Sequence, residues 1–296
     1  MLVLVGIVSV QCGAGLAGRM FSQVGPAGVT GLRLWWAALI TAALGGRAVG
    51  RIVADVAAGR GRGDMAVAVA FGLVLAAMNF SIYQSFARIP LGVAVTIEFL
   101  GPLAVAVGSS RKLLDLAWVA LAAVGVVLLT QGGSALATDT HSGGVAGLST
   151  QATGIAFGLA AAACWACYIL LSRATGRRFS GSSGLVIAMI VAAIAVTGPA
   201  IAGGGGALVH PAVIAEGLTI GLLSSVIPYR LELEALRRVP AGTFGIWMSM
   251  EPAVAALIGL ALLSENLVAR QWLAICLVIV ACAGASRYGA EAGPEP

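Results

Sequence analysis

The chain is a succession of long apolar runs separated by short polar segments. A helix that crosses a membrane needs about 20 mostly apolar residues, and about ten runs meet this condition. The approximate spans are 2–21, 27–46, 65–86, 91–109, 114–131, 152–173, 181–202, 213–233, 241–263 and 267–286. The pattern therefore predicts an all-α integral membrane protein with about ten transmembrane helices.

The polar connections between these runs contain the basic residues that orient a membrane protein. Cytoplasmic loops carry an excess of Lys and Arg. If the N-terminus is cytoplasmic, most basic residues fall in inside loops, and the outside holds only Arg19, Arg33, Arg88 and Arg270. The distribution predicts that both termini lie in the cytoplasm.

An internal repeat appears when the chain is shifted by 150 residues. The segment RIPLGVAVTIEFLGPLAVA, from Arg88, then lies over RVPAGTFGIWMSMEPAVAA, from Arg238, with coincident prolines. Five helices in each half make the second half enter the membrane from the opposite side, which predicts two inverted repeats around a central cavity. The predicted units are a first five-helix repeat 1–131, a Gly/Ser/Thr-rich extracytoplasmic linker 132–150, a second five-helix repeat 151–288 and a cytoplasmic tail 289–296.

Composition excludes a water-soluble globular protein. The chain is 59% hydrophobic and 10% charged, with a mean hydropathy of +1.00, whereas soluble domains have about 25% charged residues. The net charge of +5 is too small and too scattered to indicate a nucleic-acid partner. The 41 glycines fit close helix packing, and the GxxxG-spaced pairs Gly154/Gly158 and Gly217/Gly221 predict such contacts within the chain.

The sequence predicts neither a metal site nor a cofactor. Cys164 and Cys167 form a CWAC segment, but it lies in an apolar helical run without a second pair or a nearby His. Small buried residues are the better interpretation of these cysteines. The two histidines, His141 and His210, fall in loops, which argues against a membrane-embedded enzyme with a histidine metal site.

Two acids beside prolines are the strongest functional candidates. An ionisable residue inside a span is costly and normally faces a bundle interior or an aqueous cavity. Proline lacks an N–H and leaves the carbonyl four residues back without its helical partner. Pro102 thus frees the carbonyl of Glu98, whereas Glu251 directly precedes its proline, Pro252. We expect the two kinked helices to line one cavity.

Further polar and aromatic residues inside the spans are candidate substrate contacts, with Gln11 as a weaker one. Amide, hydroxyl and aromatic groups near the midplane suit a small amphipathic ligand, and packing between helices is the alternative role. These candidates are Asn79, Tyr83, Trp165, Tyr168, Tyr229, Glu232 and Trp247. Arg230 either meets a substrate carboxylate or continues a charge ladder through Glu234 and Arg238 to the cytoplasmic edge.

Several stretches resemble the EamA-type drug/metabolite transporters, and within them the threonine/homoserine exporter branch. The similar segments are VSVQCGAGLAGRMFSQVGPAGVTGLRL, RIPLGVAVTIEFLGPLAVAVGSSR and SSVIPYRLELEALRRVPAGTFGIWMSMEPAVAALIGLALLSE. By this resemblance Glu98 and Pro102 match the family's EF-x-GP segment. Tyr229 and Glu232 match its IPYSLEL segment, in which Arg230 replaces the usual Ser. Glu251 and Pro252 match its MEP segment.

The resemblance implies two inverted five-helix repeats, a bacterial inner-membrane location and export of small metabolites coupled to protons. The leading hypothesis is a secondary exporter of small amino acids that works by alternating access, with Glu98 as the coupling acid. The alternatives are a broad-specificity drug or other metabolite carrier of the same fold, a channel and, from another class, a membrane-embedded enzyme. The expected partners are a small-molecule substrate and the lipid bilayer, and the sequence does not indicate an oligomeric state.

Overall fold

The computed structural model describes residues 1–57, 61–108, 113–130, 145–179, 183–236, 238 and 241–290, and within these ranges the chain is helical with no β-strand. The helices are α1 Leu2–Ala57, α2 Arg62–Phe86, α3 Leu91–Glu98, α4 Leu100–Gly108, α5 Leu113–Thr130, α6 Val145–Arg178, α7 Ser183–Gly204, α8 Pro211–Gly221, α9 Ile227–Leu236, α10 Ala241–Met248, α11 Glu251–Leu263 and α12 Ala269–Ala290. A 3₁₀ turn, Gly205–Val209, precedes α8, and a π-helical turn, Leu222–Val226, joins α8 to α9. Residues 132–144 of the predicted linker and residues 291–296 of the predicted tail lie outside the described residues.

The prediction of an all-α membrane protein is confirmed. The described residues contain 8 helical segments that are long and apolar enough to cross a membrane, and Ala117–Leu129 is a shorter apolar helix. Large apolar side chains point outward in the middle of these segments: Leu170 and Ile194 are 56% and 59% exposed. Such a surface is unfavourable in water and suits the hydrocarbon interior of a bilayer.

The first helical segment is interrupted once, at Gly25. This residue has φ 65° and ψ 166°, a conformation that glycine adopts without the strain of a Cβ atom. Pro26 follows directly, where the missing N–H removes no intrahelical bond because a new helix begins there. The interruption lies between the predicted spans 2–21 and 27–46.

Both prolines that were predicted to kink helices lie just after a helical interruption. The helix α3 ends at Glu98 and α4 begins at Leu100, shortly before Pro102. Similarly, α10 ends at Met248, and α11 begins one residue before Pro252. The missing proline N–H explains each break, because the ladder of backbone hydrogen bonds cannot continue through it.

Glycines allow the helices to approach closely within one chain, as the GxxxG spacing predicted. A Cβ atom at Gly154 would lie 2.8 Å from Ile89, and one at Gly217 would lie 3.0 Å from Leu32. The helices α3 and α11 approach each other closely at Gly92, where a Cβ atom would lie 2.6 Å from the Cα of Ala256. Small residues thus fix the position of the helix that carries Glu98.

We predict that Gly92→Ala lowers stability by about 1–3 kcal/mol, because the added methyl group meets the backbone of α11 rather than a movable side chain. Gly176→Ala is the matched control, since a Cβ atom there has no neighbour within 4 Å. Thermal unfolding followed by circular dichroism in detergent measures both variants. Equal midpoints for the two variants would contradict the packing argument.

Candidate functional site

A cavity of about 190 Å³ lies among the helices, and its wall brings together acids, a guanidinium, amides and hydroxyl groups from several spans. Its walls come from both parts of α1, from α2, α3, α6, α9, α10 and α11, and from the π-helical turn. The polar and aromatic lining residues are Gln11, Arg33, Asn79, Tyr83, Phe86, Glu98, Trp165, Tyr168, Ser224, Glu232 and Glu251. A polar cavity within an apolar bundle is the arrangement expected of a membrane-embedded binding site.

Most of the candidate residues named from the sequence lie in the wall of this cavity. They are Asn79, Tyr83, Glu98, Trp165, Tyr168, Glu232 and Glu251. They come from five different helices that are distant in sequence, so the fold and not local spacing brings them together. That these side chains bind a substrate stays a prediction.

Trp247 is the exception, because the structure does not bring it to the cavity. Its side chain is 40% exposed, and its neighbour Met248 takes the cavity-facing position. Successive helical residues point about 100° apart, so the two side chains cannot share one face. The side chain of Tyr229 lies outside the described residues, although its helix is described.

Arg230 is exposed and is not part of the cavity wall, which favours the interpretation of a residue directed away from the substrate. Just beyond the end of α9, Arg238 donates hydrogen bonds to the carboxylate of Glu234, four residues earlier in the chain. This i, i+4 pair forms the second step of the predicted charge ladder, which begins at Arg230.

The two acids beside prolines differ in their surroundings. Glu251 is 8% exposed and accepts a hydrogen bond from Nε2 of Gln11 at 2.8 Å. Its position in the first turn of α11 also places a carboxylate at the positive end of a helix dipole. Glu98 is partly exposed at the end of α3 and lines the cavity. The sequence indicated Gln11 only weakly, and this contact explains its position.

Arg33 is the functional candidate that sequence reasoning missed, since it was counted among the outside basic residues. It lies within α1, after the Gly25 interruption, and lines the cavity. Its Nη1 donates to the Tyr83 hydroxyl at 3.3 Å, and its guanidinium carbon lies 5.4 Å from the centre of the Tyr83 ring. A charged residue within the apolar run 27–46 was the available signal.

The π-helical turn supplies a second anchor for Arg33. Pro228 has no N–H to offer to the carbonyl of Ser224, which lies four residues back. Arg33 Nη2 donates to that carbonyl oxygen at 3.2 Å. The backbone group released by the proline is thus satisfied by a cation in the cavity wall, as a membrane interior requires.

A second cavity of about 220 Å³ is almost entirely apolar. Its walls include Phe99, Pro102 and Phe244, and it shares Trp165 and Met248 with the first cavity. The Phe99 and Trp165 rings meet edge to face, with their centres 5.0 Å apart and an interplanar angle of 86°. The break after Glu98 therefore separates a polar cavity from an apolar one.

The connection between α11 and α12 holds the start of the helix that carries Glu98. The Glu265 carboxylate accepts a hydrogen bond from the Leu91 N–H at 2.8 Å, in the first turn of α3. Burial raises the pKa of Glu265 to about 7, and the Leu91 N–H acts in the opposite direction. This contact joins two segments that are 174 residues apart in the chain.

The described residues contain no group of three or more His, Cys, Asp or Glu side chains that could hold a metal ion. The chemistry that the polar cavity offers is therefore that of acids, one guanidinium, amides and aromatic rings. Such a set recognises a small polar molecule by charge and hydrogen bonding.

Comparison with known proteins identifies relatives along nearly the whole chain. Residues 152–287 match the EamA-like transporter family. The threonine/homoserine exporter RhtA of Salmonella typhimurium (strain LT2) is 37% identical over 286 residues, which cover 97% of this chain and 90% of that protein. RhtA of Escherichia coli (strain K12) is 38% identical over 285 residues, covering 96% and 90%.

A solved crystal structure of a protein shares the fold. It aligns over 100% of this chain and 99% of its own, with a TM-score of 0.53 and 19% sequence identity.

We predict that Glu265→Gln makes stability less dependent on pH. The folded protein binds the Glu265 proton more tightly than the unfolded chain, since the pKa rises from 4.5 to about 7. This contribution is fully present below pH 4.5 and is lost as the pH rises to about 7. Glutamine can still accept the Leu91 N–H but cannot ionise.

The midpoint of thermal unfolding of Glu265→Gln minus that of the wild type should therefore become more positive as the pH rises from 5 to 8. Glu216→Gln is the control, because Glu216 is an exposed acid on α8. A constant difference between Glu265→Gln and the wild type across this range would contradict the prediction.

Proposed function

The chain belongs to the EamA-like transporter family, in the branch that includes the threonine/homoserine exporters, and we propose that it exports threonine, homoserine or similar small amino acids. The observation that carries this proposal is the cavity itself. It places acids, a guanidinium and amides inside a bundle whose outer surface is apolar. The bacterial relatives and the apolar helices agree with a multi-pass protein of the bacterial inner membrane.

The size of the polar cavity favours a small metabolite over a drug. Sites for drug-sized ligands have volumes of about 300–1,000 Å³, and this cavity has about 190 Å³. Its mixed charge also suits a zwitterion better than a hydrophobic cation or a nucleotide sugar, which needs several cationic groups for its phosphates. A broad-specificity carrier of the same fold remains the second candidate.

We further propose ten membrane-spanning helices. The segment Leu2–Ala43 contains 42 residues, about twice the length that one span needs, and its interruption at Gly25 divides it into two. The shorter apolar helix Ala117–Leu129 supplies another span. With these two additions, the 8 long segments give ten spans.

An inverted repeat accounts for the pairing of the helices. The bounds of α3 and α10 differ by 150 residues at both ends, and a helical break follows each of them. Contacts across the bundle also occur in equivalent pairs: α2 packs against α6, and the first part of α1 packs against α9, where Gly6 faces Leu231. With five helices in each repeat, both termini would lie in the cytoplasm, as the basic residues indicate.

Two cavities that share a wall support a mechanism of alternating access. In this proposal the polar cavity holds the substrate, and the apolar cavity beyond Phe99 and Trp165 becomes part of the pathway when the helical breaks after Glu98 and Met248 flex. Breaks in transmembrane helices provide such hinges because their backbone is already irregular.

Glu98 is the proposed coupling acid. It lines the cavity at the end of α3, next to the break, so a proton or a substrate ammonium on its carboxylate would neutralise a charge where the helix bends. A charge in a membrane interior is costly, and its neutralisation therefore biases a conformational equilibrium.

We predict that the purified protein in liposomes exchanges labelled threonine for unlabelled threonine, because a carrier that alternates between two states can carry substrate in both directions. Counterflow should be strong with threonine or homoserine inside and weak with a drug-like cation. A protein that shows no exchange with any small amino acid would contradict the proposed substrate class.

We predict that Glu98→Gln loses proton-driven efflux while it still inserts into the membrane. Threonine should leave wild-type liposomes at least about tenfold faster when the outside is acidic, a tenfold change being about 1.4 kcal/mol in the barrier. The variant should not accelerate, whereas Glu216→Gln, at an exposed acid, should behave as the wild type. Undiminished acceleration in Glu98→Gln would rule out the coupling role.

A further inference from the structure

Arg33 is held rigidly in the wall of the polar cavity by groups from two other parts of the chain. Tyr83, on α2, accepts from Nη1, and the carbonyl of Ser224, in the π-helical turn, accepts from Nη2. The Tyr83 ring also lies under the guanidinium at 5.4 Å. These contacts fix the plane of the guanidinium. The side chain therefore loses little further conformational entropy when a ligand binds.

The guanidinium still has donors to offer. It carries five N–H groups in a planar fork, and the two hydrogen bonds above use one on each terminal nitrogen. Nε is buried and has no hydrogen-bond partner among the described residues. A buried, unpaired N–H of a cation is costly, and a planar carboxylate satisfies adjacent donors of the fork with two parallel hydrogen bonds.

The acids of the cavity do not neutralise Arg33 by direct contact. Arg33 and Glu98, both of which the structure describes, line the same cavity but form no ion pair with each other. Glu251 is bonded to Gln11 instead. Positive and negative groups thus line the same space without direct contact, which leaves room for a molecule that carries both charges.

We propose that Arg33 binds the carboxylate of the transported amino acid, while Glu98 and Glu251 face its ammonium group. This inference rests on the proposed function and assigns the orientation of the substrate, with its carboxylate towards Arg33 and its ammonium towards the acids. The cavity therefore selects α-amino acids by both charges, and loss of either charge weakens binding. Arg33 determines specificity and Glu98 couples transport.

The test measures binding of labelled threonine to the purified protein, with unlabelled competitors. Threonine methyl ester keeps the ammonium and lacks the carboxylate, and the 2-hydroxy analogue of threonine keeps the carboxylate and lacks the ammonium. Both competitors should be at least about tenfold weaker than threonine for the wild type, because each lacks one of the two charged groups that the cavity would bind.

The variant Arg33→Gln should bind threonine about 10- to 100-fold more weakly and should bind the methyl ester as the wild type does. The preference for threonine over its ester should therefore disappear. Arg33→Lys should restore only part of it, because lysine keeps the charge without the planar fork. Arg230→Gln is the matched control and should retain the full preference, since Arg230 is exposed and outside the cavity wall.

Two results would overturn the inference while leaving the proposed function intact. One is a wild-type protein that binds threonine and its methyl ester equally well, a measurement that does not depend on any variant folding. The other is a folded Arg33→Gln protein that keeps the preference of the wild type. Failure of the wild type to bind any amino acid would instead overturn the proposed function together with this inference.

Discussion

The structure depends on one constraint: a polar group inside a bilayer must find its partner within the protein. A proline within a span works against this condition, because it has no N–H for the carbonyl four residues back and so leaves that carbonyl without its helical partner. In this chain Pro102, Pro228 and Pro252 release the carbonyls of Glu98, Ser224 and Met248, and each of these three residues contributes to the wall of one cavity. At these three positions the released carbonyls therefore belong to a region where polar side chains or a ligand can satisfy them.

The same constraint explains the position of the charged groups. Arg33 satisfies the carbonyl that Pro228 releases, and Gln11 satisfies one oxygen of Glu251. The side chains that hold the cavity together are thus the ones that define its chemistry. Glycines that do not line the cavity allow the surrounding helices to pack closely. Gly92 allows α3 to contact α11, and Gly13 allows the first part of α1 to contact Ser224. The close packing that these glycines allow brings the polar side chains near enough to satisfy one another in the centre of the bundle.

The sequence predicted the helical fold and the main acids because both leave a strong local signal. Long apolar runs identify membrane helices, and an acid beside a proline in such a run, as in Glu98 and Glu251, has few structural explanations. Arg33 was missed because the rule that assigns arginines to loops considers their distance from a span end and not their depth. The sequence could not indicate that Trp247 lies outside the cavity wall, because the orientation of a short helix before a break depends on tertiary contacts, which no local pattern contains.

The edge-to-face contact of Phe99 and Trp165 has a consequence for how occupancy can be observed. Trp165 is part of both cavity walls, so a molecule in either one changes the polarity around its indole ring. The emission wavelength of an indole depends on that polarity. The protein therefore carries an intrinsic optical reporter at the boundary between its polar and apolar compartments, and no attached dye is needed to follow its filling and emptying.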